Sequence, residues 1–246
     1  MIRRETQHGW LIIDQREHAR VSAELFAALS TAPEYERCVE QAIRRHDDGW
    51  QAWDEAVSFD EKAGRPLDFR EMPRSDQDAI WARSVDAAVD LGALAQAIIA
   101  SHFIALRETP QDSKENSKFS LEFVRRYQPK VKAWLPELDP RAFADGLAVL
   151  KWFDNLSLWL CCAPRKEVWN TLDFRGDPVE FTPQVRAKGD LAGSHVFQVH
   201  PWPFASAEVI VQAPTRRLPI AVYESRDSLL TALQEGERLV WCLLPR

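Results

Sequence analysis

Apolar residues recur every three or four positions through most of the first 160 residues, which is the spacing of helices that bury one face. Asp14 stands before the first such stretch and predicts a helix N-cap, with Glu17 as its capping-box partner. This helix carries His18 in its first turn and ends before Pro33. Upstream of it, a short apolar run at residues 9–13 predicts a strand.

The same spacing predicts five further helices. The second carries His46 at the end of an apolar face and stops at Gly49. The periodicity is lost at residues 57–73, and a loop of that length in a compact domain is usually functional. The remaining helices are predicted at residues 75–85, 91–106, 119–128 and 140–162, with a polar connection at residues 109–117.

After Pro164 the pattern changes to short apolar runs between prolines, which predicts strands. The runs are residues 196–199, 208–211 and 238–244, with a short helix at residues 228–235 before the last one. We expect this terminal strand to pair with residues 10–13.

The predicted fold is therefore mainly α, with a small, mostly antiparallel β-sheet formed by the terminal and C-terminal segments. Residues 1–246 are expected to form a single domain. Its helical body covers about residues 14–163, and β-rich additions cover residues 1–13 and 165–246.

Composition narrows the class of protein. With 46% hydrophobic residues, the 246-residue chain can bury a sizeable core. A net charge of −6 without a dense Lys/Arg block argues against a nucleic-acid partner. No apolar run is long enough to span a bilayer, and no signal peptide is evident, so no membrane association is expected. The four cysteines form no CxxC pair, which is typical of reduced thiols in a cytoplasmic protein.

Imidazoles and carboxylates on apolar helices are the candidate chemistry. His18, the pair His46 and Asp47, His102 and Asp154 all lie in such surroundings. An isolated buried carboxylate is costly unless a cation or an Arg/Lys partner is near or its pKa is raised. One or two divalent ions would accommodate all of these groups, and a donor set without thiolate suits Fe, Mn or Zn. The pattern therefore predicts metal ligands at these five positions.

Structural explanations for the same residues stay open. Asp154 is one helical turn from Lys151 and can pair with it. His46 can be a helix C-terminal histidine beside a turn aspartate, and His102 can be a core histidine. Lys151 and the pair Arg44 and Arg45 can hold an anion near the metal or remain solvated.

The order of His18, His46-Asp47 and Asp154 resembles the H…HD…D pattern of the HD-domain superfamily of metal-dependent phosphohydrolases. In that superfamily the first histidine opens a helix, the His-Asp pair ends an apolar helix beside a glycine, and the last aspartate lies on a late apolar helix. The resemblance covers about residues 15–160 and implies an HD-domain-like helical bundle with these four metal ligands. The sequence departs from the superfamily just after the His-Asp pair, and it lacks the adjacent histidines of some two-metal members.

The resemblance implies a hydrolase that attacks a phosphoester with metal-activated water. We expect Asp47, His102 and Lys151 to belong to the catalytic machinery. His102 resembles the histidine that some members of the superfamily use for a second metal or for substrate phosphate. The partner is then a small phosphorylated molecule. Two alternatives are an HD-like di-iron oxygenase and a non-catalytic small-ligand-binding protein. The sequence leaves the substrate and the oligomeric state open.

Over nearly its whole length the chain also resembles an uncharacterised bacterial family catalogued as domain of unknown function 3891. The residues that carry this resemblance are 11–18, 46–50, 101–103 and 201–204. The family implies no established activity.

Overall fold

The computed structural model of the chain describes residues 1–30, 36–108, 121–162, 168–184 and 194–246. Within these ranges about 53% of the residues are helical and about 23% lie in strands. The strands form three sheets, one of them five-stranded. The prediction of a mainly α fold with one small sheet is therefore wrong, and the chain is an α+β protein.

The helices in the described ranges are α1 (Gln15–Ala27), α2 (Glu36–Arg45), α3 (Gln51–Ala56), α4 (Arg74–Ala87), α5 (Ala93–Glu108), α6 (Glu122–Trp134), α7 (Pro140–Cys162) and α8 (Arg226–Ala232). Asp14 occupies the N-cap position of α1 as predicted. Its carboxylate makes no capping hydrogen bond, however, and pairs with Arg216 instead. Pro33, Pro164 and the predicted connection at residues 109–117 lie outside the described residues. No helix in the described part of the chain is long and apolar enough to cross a membrane.

The strands in the described ranges are β1 (Ile2–Thr6), β2 (Gly9–Ile13), β3 (Phe59–Asp60), β4 (Arg65–Pro66), β5 (Trp169–Leu172), β6 (Pro178–Pro183), β7 (Ser194–His200), β8 (Val209–Ala213), β9 (Arg216–Leu218), β10 (Gln234–Glu235) and β11 (Leu239–Pro245). The predicted loop at residues 57–73 contains the short β3–β4 pair. It also contains a 3₁₀ turn, Phe69–Glu71.

The five-stranded sheet has the order β5-β6-β7-β11-β8. Its strand β11 is parallel to β7 and antiparallel to β8. The predicted pairing of this tail with residues 10–13 is wrong, because β2 lies between β1 and β9 in another sheet. Both faces of β11 are apolar, with Trp241, Cys242 and Leu243 all buried, as expected for a strand inside a sheet.

Strand β1 lies in the segment expected to be β-rich, but the apolar pattern did not locate it, because its charged residues interrupt that pattern. Arg4 is nevertheless buried and donates hydrogen bonds to the carbonyl oxygens of Leu160 and Cys161 at the end of α7. Strand β1 forms a hairpin with β2, which begins at Gly9 with φ +137°, a conformation that L-residues rarely adopt.

The five-stranded sheet packs on the helices through aromatic side chains. Trp159 of α7 stacks on Trp169 of β5, with ring centroids 5.2 Å apart, and also contacts Phe197 of β7 at 5.0 Å. Helices and sheet therefore share one apolar core. The sheet covers one side of α7, so the polar residues on the opposite side of that helix face α1, α2 and α5.

Candidate metal centre

Three helices bring two imidazoles and two carboxylates to one buried point. His18 lies in the first turn of α1, His46 and Asp47 directly follow α2, and Asp154 lies near the middle of α7. Because α1 packs against both α2 and α7, polar groups on the facing surfaces of these helices meet in the interior. The four side chains are at most 6% exposed.

The inward-facing atoms of these side chains are spaced closely and evenly. The Nε2 atom of His18 lies 2.8 Å from Asp47 Oδ2 and 3.6 Å from Asp154 Oδ1. The Nε2 atom of His46 lies 3.6 Å and 3.3 Å from the same two oxygens. Ligands about 2.1 Å from a central ion are separated from their neighbours by about 3.0–3.4 Å in tetrahedral or octahedral geometry. The ligand atoms of His18, His46 and Asp154 all lie within 4.8 Å of one another, which suits a single ion, and Asp47 lies within hydrogen-bond distance of His18.

The outward-facing nitrogen of each imidazole is already engaged. His46 Nδ1 donates to the carbonyl oxygen of Ile43 at 2.6 Å. His18 Nδ1 lies 2.7 Å from Ser157 Oγ, and this hydroxyl donates to the carbonyl oxygen of Asp154 at 3.0 Å. Ser157 is thus placed to accept from His18 Nδ1, and Ser22 Oγ, 2.6 Å away, is a further partner of this hydroxyl. Metal-binding histidines commonly have such a partner, which fixes the tautomer and leaves the Nε2 lone pair facing the centre.

The electrostatics of this point depend on the two carboxylates. Burial lowers the pKa of His46, but the carboxylates of Asp47 and Asp154 outweigh burial and raise this pKa to about 9. Burial raises the pKa of Asp154, yet hydrogen bonds from His102 and His46 hold it well below its usual range. Among the described residues, the charged groups within 4 Å of these two carboxylates are imidazoles and not Lys or Arg.

A third imidazole faces the same carboxylate from α5. His102 Nε2 lies 3.4 Å from Asp154 Oδ2, and its Nδ1 atom is buried without a hydrogen-bond partner. His18, His46, Asp47, His102 and Asp154 are called the acid–imidazole cluster below. All five of these predicted positions lie together in the structure.

The acid–imidazole cluster lines the deep end of a cavity of about 380 Å³. This volume is at the lower end of the range of about 300–1,000 Å³ for small-molecule sites. The walls beyond the cluster are largely apolar and aromatic, and they include Trp50, Phe69, Met72, Trp81, Phe103, Leu106 and Leu158.

Gly49 fixes the position of the cluster relative to α4. It lies in the 3₁₀ turn Asp48–Trp50, immediately after Asp47, and its N–H donates to Ser84 Oγ at 3.0 Å. A Cβ at this position would overlap the carbonyl oxygen of Ile80. The glycine is thus required by the close approach of α4, and it does not adopt the positive φ of a helix stop.

The structure does not bring Lys151 to the site. Lys151 lines a separate, shallow depression together with Trp169. It precedes Asp154 by three residues, which places the two side chains about 60° apart around the helix axis, and the Lys151 side chain extends toward this depression. Arg45 is also outside the cavity, where it pairs with Asp48 and Asp90, and Arg44 pairs with Glu40.

Sequence reasoning missed three arginines that line the same cavity, Arg70, Arg74 and Arg107, which are called the arginine rim below. The signal for Arg107 was its position on α5 four residues after Phe103, which places these two side chains on one face of the helix. Arg70 lies in the predicted functional loop, and Arg74 directly follows that loop.

The fold and the site together define a class: an α+β protein with a buried group of imidazoles and carboxylates at the deep end of a small-molecule-sized cavity. The chain belongs to the family described as Protein of unknown function (DUF3891), whose model matches residues 1–220. The resemblance to that family noted from the sequence is confirmed. No curated protein and no solved structure matches the chain.

Proposed function

We propose that this protein is a metal-dependent hydrolase of a small phosphoester. The observation that carries the proposal is the convergence of His18, His46, Asp47 and Asp154, with both Nε2 atoms directed inward and both Nδ1 atoms engaged elsewhere. The order of these residues also resembles the ligand pattern of HD-domain phosphohydrolases. The positions of these residues in the structure and their order in the sequence thus support the same four ligands.

The residues present fit a divalent ion of the Fe, Mn or Zn type. Two neutral imidazoles and two carboxylates are a donor set that such ions accept without thiolate. The two buried acids carry negative charge that a cation would offset at the point where they meet. His102 adds an imidazole whose Nε2 atom faces the second oxygen of Asp154, so it is placed to contact substrate or to complete the coordination.

The chemistry supplied by such an ion when bound is Lewis acidity, which lowers the pKa of water and offsets charge on phosphoryl oxygens. The chain's own residues have distinct tasks in this proposal. Asp47 takes the proton of the attacking water, and His102 holds the phosphoryl group from the α5 side. The apolar walls around Trp81 and Phe103 limit the access of bulk water to the deep end of the cavity.

Elemental analysis of the purified native protein and of His46→Ala and Asp154→Asn variants tests the proposal. We expect about one Fe, Mn or Zn ion per native chain, and loss of the ion in both variants. His8→Ala is the matched control, because His8 is exposed in the β1–β2 turn and should retain the ion.

A phosphoester panel assayed with added Mn²⁺ or Fe²⁺ completes the test. Phosphate release by the native protein but not by Asp154→Asn supports the proposal. Retention of the ion in both cluster variants contradicts it. Two iron ions per chain together with oxygen consumption would favour the oxygenase alternative instead.

A further inference from the structure

The cavity has a second charged region that the proposed hydrolysis leaves unused, the arginine rim. Its members come from different parts of the fold: Arg70 from a 3₁₀ turn, Arg74 from the first position of α4, and Arg107 from the last turn of α5. Their charges face one cavity whose only lining carboxylates, among the described residues, belong to the acid–imidazole cluster.

Arg107 is held rigidly. Its side chain is 3% exposed, donates to the carboxylate of Asp78, and lies over the ring of Trp81 with Cζ 4.5 Å from the ring centroid. Its Nη2 atom also lies 3.3 Å from the carbonyl oxygen of Arg74. Its Nε–H is buried and has no hydrogen-bond partner. The guanidinium is thus fixed in place, so binding an anion would require no further ordering of the side chain.

The start of α4 adds to the attraction for an anion. Helix N-termini favour negative charge because their first N–H groups have no partner within the helix. Here the N-cap is Pro73, and no side chain caps the helix. Arg74 is the first residue of this helix and lines the cavity, and the first turn also carries the acidic Asp76. Burial lowers the pKa of Arg107, the carboxylate of Asp78 opposes this shift, and the charge of Arg74 adds to it, so an anion between the two arginines would relieve a repulsion.

Arg107 lies too far from His102 for one phosphoryl group to contact both. Arg107 follows His102 by five residues, which corresponds to about 7.5 Å along the axis of α5. Trp81 and Phe103 are stacked between the two regions, with ring centroids 4.9 Å apart and the guanidinium of Arg107 over Trp81. A ligand that reaches both ends needs two separated anionic groups.

We propose that the substrate of this site carries a second anionic group, a carboxylate or a phosphate, which the arginine rim binds about 7–10 Å from the phosphoryl group at the cluster. This inference rests on the proposed function. The volume of about 380 Å³ limits the substrate to a small molecule that spans the two ends of the cavity.

Binding of non-hydrolysable phosphonates to the Mn²⁺-loaded protein tests the inference without turnover. The probes are ω-phosphonocarboxylates from phosphonoacetate to 6-phosphonohexanoate, each compared with the alkylphosphonate of the same chain length. We expect the carboxylate to improve the Kd roughly tenfold or more in the longer members, because a charged hydrogen bond is gained at the rim, and to have little effect in phosphonoacetate.

Variants of the rim identify the residues responsible. Arg74→Gln and Arg70→Gln should remove most of the advantage of the carboxylate while leaving the Kd of the alkylphosphonates and the metal content unchanged. Arg141→Gln is the matched control, because this arginine is exposed on α7 outside the cavity. Equal affinity of carboxylate and alkyl probes at every length would overturn the inference.

A second titration separates this outcome from a failure of the proposed function. In His46→Ala protein, hexanoate should still bind more tightly than 1-hexanol by nuclear magnetic resonance titration, and Arg74→Gln should abolish the difference. If no metal is held and no phosphonate binds, but this preference persists, the proposed function fails and the anion site stands. If hexanoate shows no preference either, the anion site is refuted as well.

Discussion

The two ends of the cavity balance their buried charges in different ways. In the arginine rim, Arg107 and Arg70 each pair with an aspartate that does not line the cavity, Asp78 and Asp68. In the acid–imidazole cluster, the two carboxylates face only imidazoles among the described residues. Arg107 and Arg70 are therefore neutralised as folded and offer an anion their remaining N–H groups, whereas the cluster requires a proton or a metal ion to balance its acids. The ion pairs of the rim hold its arginines in place, whereas the uncompensated carboxylates of the cluster attract a cation.

Arg107→Met should produce the largest effect, because it breaks the complete pair of the rim. Removal of one partner of a buried ion pair leaves an uncompensated charge and costs about 3–5 kcal/mol. We expect the free energy of unfolding in urea to fall by that amount. The double variant Asp78→Asn with Arg107→Met should recover much of the loss, and a decrease below about 1 kcal/mol in the single variant would show that the pair is not balanced as described.

Gly49→Ala tests the close contact between Gly49 and α4, which sets the position of the cluster relative to the arginine rim. The glycine follows Asp47 of the cluster and packs against α4, the helix that carries Arg74 and Trp81. Forcing an extra carbon into a packed interior typically costs about 1–3 kcal/mol, and we expect the upper part of this range because the added atom meets a backbone carbonyl. Adding Ser84→Ala should relieve little of the loss in urea unfolding, since the carbonyl of Ile80 remains. A Gly49→Ala protein as stable as the native one would contradict the close approach.

Ser157→Ala should weaken metal binding without removing a ligand. The hydroxyl orients the imidazole of His18, and loss of such a supporting hydrogen bond typically costs 10–100-fold in metal affinity, or about 1.4–2.7 kcal/mol. Competition titration with Mn²⁺ measures the change. Ser22→Ala is the matched control, because Ser22 is equally buried and contacts Ser157 at 2.6 Å but has no contact with an imidazole ring. Equal losses in the two variants would show that the orientation of His18 is not the cause.

The difference between the cluster and the rim also explains why the sequence predicted the residues of one and not those of the other. The cluster residues were predicted because histidines and aspartates stand out on apolar helical faces, and helical periodicity indicates which side is buried. Arginines in a loop and at helix ends look like ordinary solvated charges, so the rim was not recognised. Lys151 was assigned to the site from its one-turn spacing to Asp154, but that spacing does not specify which way a long side chain extends.

The sheets were less predictable than the helices for a different reason. Strand β11 lies between β7 and β8, whose positions depend on pairings across tens of residues, and no local pattern encodes such partners. The charged residues of β1 concealed a strand, because Arg4 is buried through hydrogen bonds to α7 that only the folded chain provides. Helix positions follow from local periodicity, whereas strand order depends on the whole fold.

The dependence of metal binding on pH distinguishes the two ends directly. The pKa of His46 is about 9 in the metal-free fold, against about 6.5 in an unfolded chain. Its protonation therefore stabilises the metal-free protein fully below pH 6.5, and this contribution is lost as the pH rises to 9. Metal binding has the opposite dependence, because the ion must displace that proton.

We expect the affinity for Mn²⁺ to increase by up to tenfold, or about 1.4 kcal/mol, for each pH unit between 6.5 and 9. Titrations at three pH values in this interval measure the increase, and urea unfolding in the presence of a chelator measures the opposing loss of stability. Hexanoate binding at the rim is the internal control, because the arginines there stay charged and the carboxylate stays ionised over the whole interval. A Mn²⁺ affinity independent of pH would mean that His46 carries no proton that the ion must displace, and the balance of charge described for the cluster would then be wrong.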